Sequence, residues 1–165
     1  MSEESFEQAL ARLTTGIYVL TVAHGDKSHG MSSSWATQVS GSPPLVVVAI
    51  DVGHLTHALV SASRHFVLNV VGKAGRHLED YFYSPAARGE DNLATIRHRP
   101  GPNGDPVLDD ALAWLGCRVN ASHPAGDHTL FVAEVVAAEV VASADEPLSS
   151  ADLPYVYVGK LVPRR

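Results

Sequence analysis

The run Gly30-Met31-Ser32-Ser33-Ser34-Trp35-Ala36-Thr37-Gln38-Val39-Ser40 holds the most chemical capacity in this chain. One glycine, three serines and a large indole fall within six residues, and Pro43-Pro44-Leu45 then leads into an apolar run. Small residues let a ligand approach the backbone closely. Serine hydroxyls both donate and accept hydrogen bonds. An indole offers a flat apolar face. Together these groups suit a flat polar heterocycle carrying a phosphate tail. The bland alternative, a Ser-rich turn, is the commoner use of such a stretch.

Two further residues stand out. His128 follows Gly126-Asp127 at the mouth of a tight turn and precedes an apolar run. It reads either as a ring presented to a ligand or as a hairpin cap. Asn69 sits inside the apolar run Phe66–Val71, where a buried amide must find partners, either backbone groups or a ligand edge. Other chemistries have little support. His54 and His57 are three apart, but no cysteine or carboxylate joins them at zinc-ligand spacing, so no metal site is expected. There is no Gly-rich phosphate loop, no Gly-x-Gly-x-x-Gly and no Gly-x-Ser-x-Gly elbow. The single cysteine, Cys117, lies in an alternating apolar run and reads as a buried structural thiol.

The elements that must hold these residues are mostly strands. Ser5-x-x-Gln8 resembles a capping box, with Phe6, Leu10 and Leu13 at helical spacing, so a short amphipathic helix opens the chain. Ile17–Ala23 is β-rich, and His24-Gly25-Asp26-Lys27 reads as a hairpin turn into the Gly30–Ser40 segment. Leu45–Ile50 is continuously apolar, which predicts a strand buried on both faces, as does Phe66–Val71. Short helices are expected over 56–63 and 76–83. A long polar stretch with four prolines runs from Ser84 to Asp110, and a loop of that length is often functional. Two long β-runs, 111–122 and 129–142, flank His123–His128, and Pro154–Gly159 supplies the last strand. Six or seven strands with few helices argue against a doubly wound sheet and for a closed or partly split antiparallel barrel.

The 165 residues fit one domain spanning 1–165, large enough to bury a core without staples. A formal net charge of −6 lacks the basic footprint of a nucleic-acid partner. No apolar run reaches bilayer-spanning length, no membrane association is expected, and the acidic start resembles no export signal. A cytoplasmic protein is the expectation.

Several motifs are in register with one family. Thr15-Gly16-Ile17-Tyr18-Val19-Leu20-Thr21, the Gly30–Ser40 run with Pro43-Pro44-Leu45, Phe66-x-x-Asn69-Val70, Phe82 and Gly126-Asp127-His128 resemble the flavin reductase-like family. The similarity runs from about residue 6 to residue 160. It implies a mainly β fold, an antiparallel Greek-key split β-barrel with a few short helices that binds FMN, with FAD as the alternative. It further implies a homodimer, hydride transfer from NADH or NADPH to flavin, and supply of reduced flavin to a partner monooxygenase.

By position, the resemblance places Gly30, Met31, Ser32, Ser34 and Trp35 along the isoalloxazine and ribityl chain, with Ala49, Ile50 and Asp51 beside them. His54 and Thr56 approach the phosphate, Tyr81 and Phe82 contact the flavin, and His128 stands near the nicotinamide as the residue assisting catalysis. No arginine aligns near the phosphate, and Lys73 and Arg76 are candidate cations only by proximity in sequence. One departure is Gly159-Lys160-Leu161, where many members carry an aromatic after the glycine. It motivates a second reading, an FMN-binding electron-transfer flavoprotein without NAD(P)H activity. A binding protein for another flat ligand, such as haem, is a third.

Overall fold

The computed structural model describes residues 2–164. Helix α1 (Glu3–Leu10) is followed by strands β1 (Tyr18–His24), β2 (Lys27–Ser33), β3 (Ala36–Gly41) and β4 (Pro44–Asp51). Helix α2 (Leu55–Ser63), β5 (His65–Val70) and helix α3 (Arg76–Phe82) come next. The short β6 (His98–Pro100) and β7 (Pro106–Leu108) precede the long hairpin of β8 (Ala113–Ala125) and β9 (His128–Val140). Strands β10 (Tyr155–Tyr157) and β11 (Leu161–Pro163) close the chain.

Seven strands form one antiparallel sheet in the order β2-β1-β5-β8-β9-β4-β3. Its two edge strands, β2 and β3, are consecutive in sequence and separated only by Ser34-Trp35. Three peptide steps, from Ser33 to Ala36, span at most about 11 Å. The two edges therefore meet at this end, and the sheet must curl to bring them together. No ladder among the described residues joins them, so the sheet is mainly β and antiparallel as expected but does not close a barrel.

Strands β1 and β5 are buried on both faces because separate layers cover each side. Leu20, Val22, Phe66 and Leu68 pack with Val48, Ile50, Phe131 and Leu59 of α2. Val19 and Val71 face the other way, onto Leu78 and Phe82 of α3, Leu93, Leu108 and Leu153. Strand β4 differs from the expectation. Leu45–Ile50 alternates between half-buried and buried residues, because only the Val46-Val48-Ile50 side meets the core.

Other details also shift. The cap of α1 is Ser2, whose hydroxyl accepts from the Ser5 N–H, one turn ahead of the expected Ser5 box. Glu3 and Glu4 in the first turn suit the helix dipole. Phe6 and Leu10 on this helix are exposed. The β8–β9 turn is shorter than the sequence suggests, since His123–Ala125 are already paired and only Gly126-Asp127 turn. The Ser84–Asp110 stretch is an ordered cover. Leu93, Val107 and Leu108 within it are buried.

Asn69 takes the structural role. Its Nδ2 donates to the Val19 carbonyl and to Thr21 Oγ1, each at 3.0 Å, and its Oδ1 accepts from the Leu108 N–H at 2.9 Å. One buried amide thereby ties β1, β5 and β7 together. Cys117 is buried, and desolvation pushes its thiol up to about 12, so it is unreactive near neutrality. Asn69→Ala strands the Leu108 N–H and opens a void. We expect a loss of about 2–3 kcal/mol in denaturant unfolding. A loss below about 0.5 kcal/mol would show that the network relaxes around the gap.

Candidate functional site

A cleft of about 520 Å³ opens along the seam where β2 gives way to β3. Gly30, Met31, Ser32, Ser34 and Trp35 line it from the seam, and Ala49 and Asp51 from the end of β4. His54, Phe82 and His128 complete the residues expected there that the cleft brings together. Three others lie elsewhere. Ile50 points into the core by strand alternation. Thr56 is buried against His29. Tyr81 turns its hydroxyl to the Asn92 carbonyl.

The seam is shaped by what it packs against. A Cβ on Gly30 would lie 2.6 Å from the Phe82 ring, so glycine is required there for the close approach of α3. On the open edge of β2, the Asn92 side chain stands in for a missing strand. Its Oδ1 accepts from the Gly30 N–H at 3.0 Å and its Nδ2 donates to the Gly30 carbonyl at 2.7 Å. Trp35 does not present a bare face. The rings of His128 and Tyr157 lean against it at 4.7 and 5.0 Å between centroids, forming an aromatic cluster. The buried His128 holds its Nδ1 2.6 Å from the Asp127 carboxylate, which fixes the ring's orientation. That hydrogen bond pulls Asp127 below the usual carboxylate range.

A different chemistry marks the region around the start of α2. His54 caps the helix, its Nδ1 accepting from the Thr56 N–H at 3.3 Å, and Gly53 and His54 face the cleft. His29 ties this helix start to the segment 85–89. Its Nδ1 lies 3.0 Å from Thr56 Oγ1 and its Nε2 is 3.3 Å from the Gly89 carbonyl. A carbonyl only accepts, so Nε2 carries the proton. Burial pushes both His29 and His54 toward the neutral form, with the neighbouring His54 adding to the effect on His29. Arg88 lines the cleft beside this junction and has no carboxylate partner among the described residues. Lys73 and Arg76 are committed elsewhere, to Glu146 at 2.7 Å and to Asp80 at 3.9 Å. Sequence reasoning missed Arg88, Tyr157 and Leu161. The length of the Ser84–Asp110 stretch was the one signal for Arg88.

Behind Ser32 lies an ionisable group with no place in the sequence reading. Glu79 of α3 is 1 % exposed, and Ser32 Oγ donates to its Oε2 at 2.5 Å. Desolvation raises its carboxyl to about 7, against the opposing hydrogen bond from Ser32. Among the described residues, no three His, Cys, Asp or Glu side chains converge as a metal site.

A comparison with known domain families matches the flavin reductase like domain over residues 10–162. The chain belongs to this family. It is 32 % identical over 149 residues to the reductase component of a 4-nitrophenol monooxygenase system from Rhodococcus opacus. That match covers 90 % of this chain and 77 % of the relative. It is 37 % identical over 131 residues to a diflavin flavoprotein of Nostoc, covering 78 % of this chain. The match spans only 23 % of that longer relative. Among solved structures, an NADH:FAD oxidoreductase from Streptomyces globisporus superposes with a TM-score of 0.79 at 28 % identity, covering 90 % of this chain and 89 % of that one. This flavin reductase-like chain thus shares fold and extent with oxidoreductases. No helix among its described residues is long and apolar enough to cross a membrane.

The buried carboxyl has a measurable signature. Its folded pKa of about 7 lies above the ordinary 4.5, so the folded state holds the proton more tightly than the unfolded chain. Ionisation therefore removes stability as pH rises from about 4.5 to about 7, and the loss levels off above that. Glu79→Gln should gain stability relative to the parent across this window, as read by denaturant midpoints. A difference that does not change with pH would mean Glu79 is not held protonated.

Proposed function

We propose that this chain is an NAD(P)H:flavin oxidoreductase that seats FMN in the seam cleft, with FAD as the alternative flavin. The observation that carries this reading is the pairing of an aromatic cluster with a neighbouring anion-receptive corner. The cleft volume is that of a small-molecule site. Ser34 lines it, and its buried Oγ has no hydrogen-bond partner among the described residues, which supports a polar ligand entering beside it. Trp35 and Tyr157 supply apolar surface for a conjugated ring. Arg88, with the backbone at the start of α2, would hold the phosphate.

When bound, the flavin supplies the hydride-accepting ring. The protein's part is then to bind, orient and exclude water. His128, braced by Asp127 and packed on Trp35, is placed to steady a nicotinamide at the cleft. No general acid or base is needed for the hydride step itself.

The matched reductase component supports a role in delivering reduced flavin to a monooxygenase partner. A second reading rests on the C-terminal hairpin. Lys160 follows Gly159 where many members carry an aromatic, and it is engaged with Glu7 of α1 at 2.6 Å while Leu161 lines the cleft. It makes the chain an electron-transfer flavoprotein reduced by another protein. Exposed Phe6 and Leu10 on α1, with Val136 and Val140 on β9, leave apolar surface that supports a homodimer. Sedimentation should return twice the 17.5 kDa chain mass.

The deciding assay is oxidation of NADH and of NADPH with and without added FMN or FAD. Flavin-dependent turnover is expected. A yellow, dithionite-reducible protein without turnover would favour the electron-transfer reading. His128→Ala should lower turnover about tenfold or more while flavin Kd stays within about twofold. Equal loss of both would remove His128 from the nicotinamide side. Arg88→Gln should weaken flavin binding about tenfold and reduce its salt dependence. An unchanged Kd would place the phosphate elsewhere.

A further inference from the structure

Glu79 is a buried carboxyl with one direct route to the cleft. Its Oε2 accepts from Ser32 Oγ, and Ser32 lines the cleft. The groups around it are few. Arg76 and Asp80 share its helix, and Asp80 disfavours its ionisation while Arg76 favours it. From the C-terminal hairpin, Tyr155 hydrogen-bonds it in the ionised form. Tyr83, just past α3, is itself pushed far upward by desolvation and by Glu79, so it stays a neutral phenol. A small space of about 10 Å³, room for one water, is lined by Glu79, Ser34, Tyr83 and Tyr155. No lysine or arginine forms an ion pair with Glu79 among the described residues.

A serine hydroxyl has one proton to place. With Glu79 ionised, that proton points at the carboxylate, and Ser32 offers the cleft only lone pairs. With Glu79 protonated, the carboxyl can donate to Ser32 Oγ, and the serine proton is free to point into the cleft. We propose that Glu79 is a positioning residue that sets, through Ser32, whether the floor of the cleft donates or accepts a hydrogen bond. This rests on the flavin reading above. An oxidised isoalloxazine carries one ring N–H and otherwise acceptor nitrogens and oxygens, so the donating state matches it better.

The consequence is an oxidised-flavin affinity governed by Glu79. Binding is tight when the carboxyl is protonated and falls as it ionises, across the neutral range its displaced pKa defines. Glutamine mimics the protonated form, since its amide donates to Ser32 at every pH.

The test is equilibrium binding of FMN and FAD, followed by flavin fluorescence, to the parent chain and to Glu79→Gln. Titrations at about pH 5.5 and about pH 8.5 lie on either side of the transition. The ratio of the two dissociation constants cancels the contributions of His29, His54 and His128, which both proteins share. We expect a ratio near unity at the lower pH and about tenfold tighter binding by Glu79→Gln at the higher. A merely structural role would move affinity without moving its pH dependence, so a ratio constant with pH overturns the inference. Ser32→Ala provides a second variant should the glutamine form fold poorly. With the hydroxyl gone, its affinity should lose the Glu79-dependent fall seen in the parent as pH rises, and retention of that fall overturns the inference equally. A parent chain that binds neither flavin at any pH overturns the flavin reading itself. Flavin binding with a pH-independent ratio overturns only the role of Glu79.

Discussion

The break between β2 and β3 is the constraint on which the rest of the structure depends. Two edge strands lie at opposite ends of a seven-stranded sheet, yet only Ser34-Trp35 separates them in sequence. The sheet must curl until those ends meet, and the unpaired seam becomes a groove. Every group in the cleft is placed relative to that seam. The end of β4 meets it because the Ala49 N–H donates to the Trp35 carbonyl at 2.9 Å. His128 arrives there because it pairs with Asp51 in the β4–β9 ladder.

An open seam leaves backbone groups that need partners. The protein solves this with side chains and short covers. Asn92 satisfies both backbone groups of Gly30, and the segment carrying Asn92 seals the second core through Leu93, Val107 and Leu108. Asn69 and Thr21 perform the same task under β7, with Thr21 Oγ1 donating to the Pro106 carbonyl at 2.5 Å. Two core layers then bury β1 and β5 on both faces, which gives the cleft a rigid back wall. The C-terminal hairpin brings Tyr157 and Leu161 to the cleft, and Lys160 clamps that hairpin to α1.

The electrostatics of the cleft follow from burial. Desolvation keeps His29 and His54 on the neutral side, leaving Arg88 as the cleft's unpaired cation among the described residues. The same effect holds Glu79 near its titration point beneath Ser32. Arg88 thus supplies positive charge at one part of the cleft, while Trp35, His128 and Tyr157 supply aromatic surface. That division suits a ligand with an uncharged ring and an anionic tail.

The sequence by itself determined most element types and singled out the Gly30–Trp35 segment that the fold sets along the cleft, but it read Gly30–Ser40 as one segment where the structure breaks into β2 and β3. Hydrophobic periodicity, turn residues and motif spacing are local signals, and each survives in the structure with small shifts. It also determined that Cys117 is structural and that Asn69 needs buried partners. It left the identity of those partners open. Tertiary structure alone decided that Ile50 faces the core and Tyr81 the Asn92 carbonyl, because strand alternation and helix rotation are set by packing. Only the fold brought Arg88, Tyr157 and Leu161 to the cleft, from segments 50 or more residues beyond the seam. Glu79 was invisible in sequence for the same reason. On a short helix an acidic residue ordinarily reads as solvated, and its meaning comes from the Ser32 hydroxyl that a distant strand sets against it. Local pattern encodes what a segment can become, whereas burial and contact between remote segments decide what its side chains do.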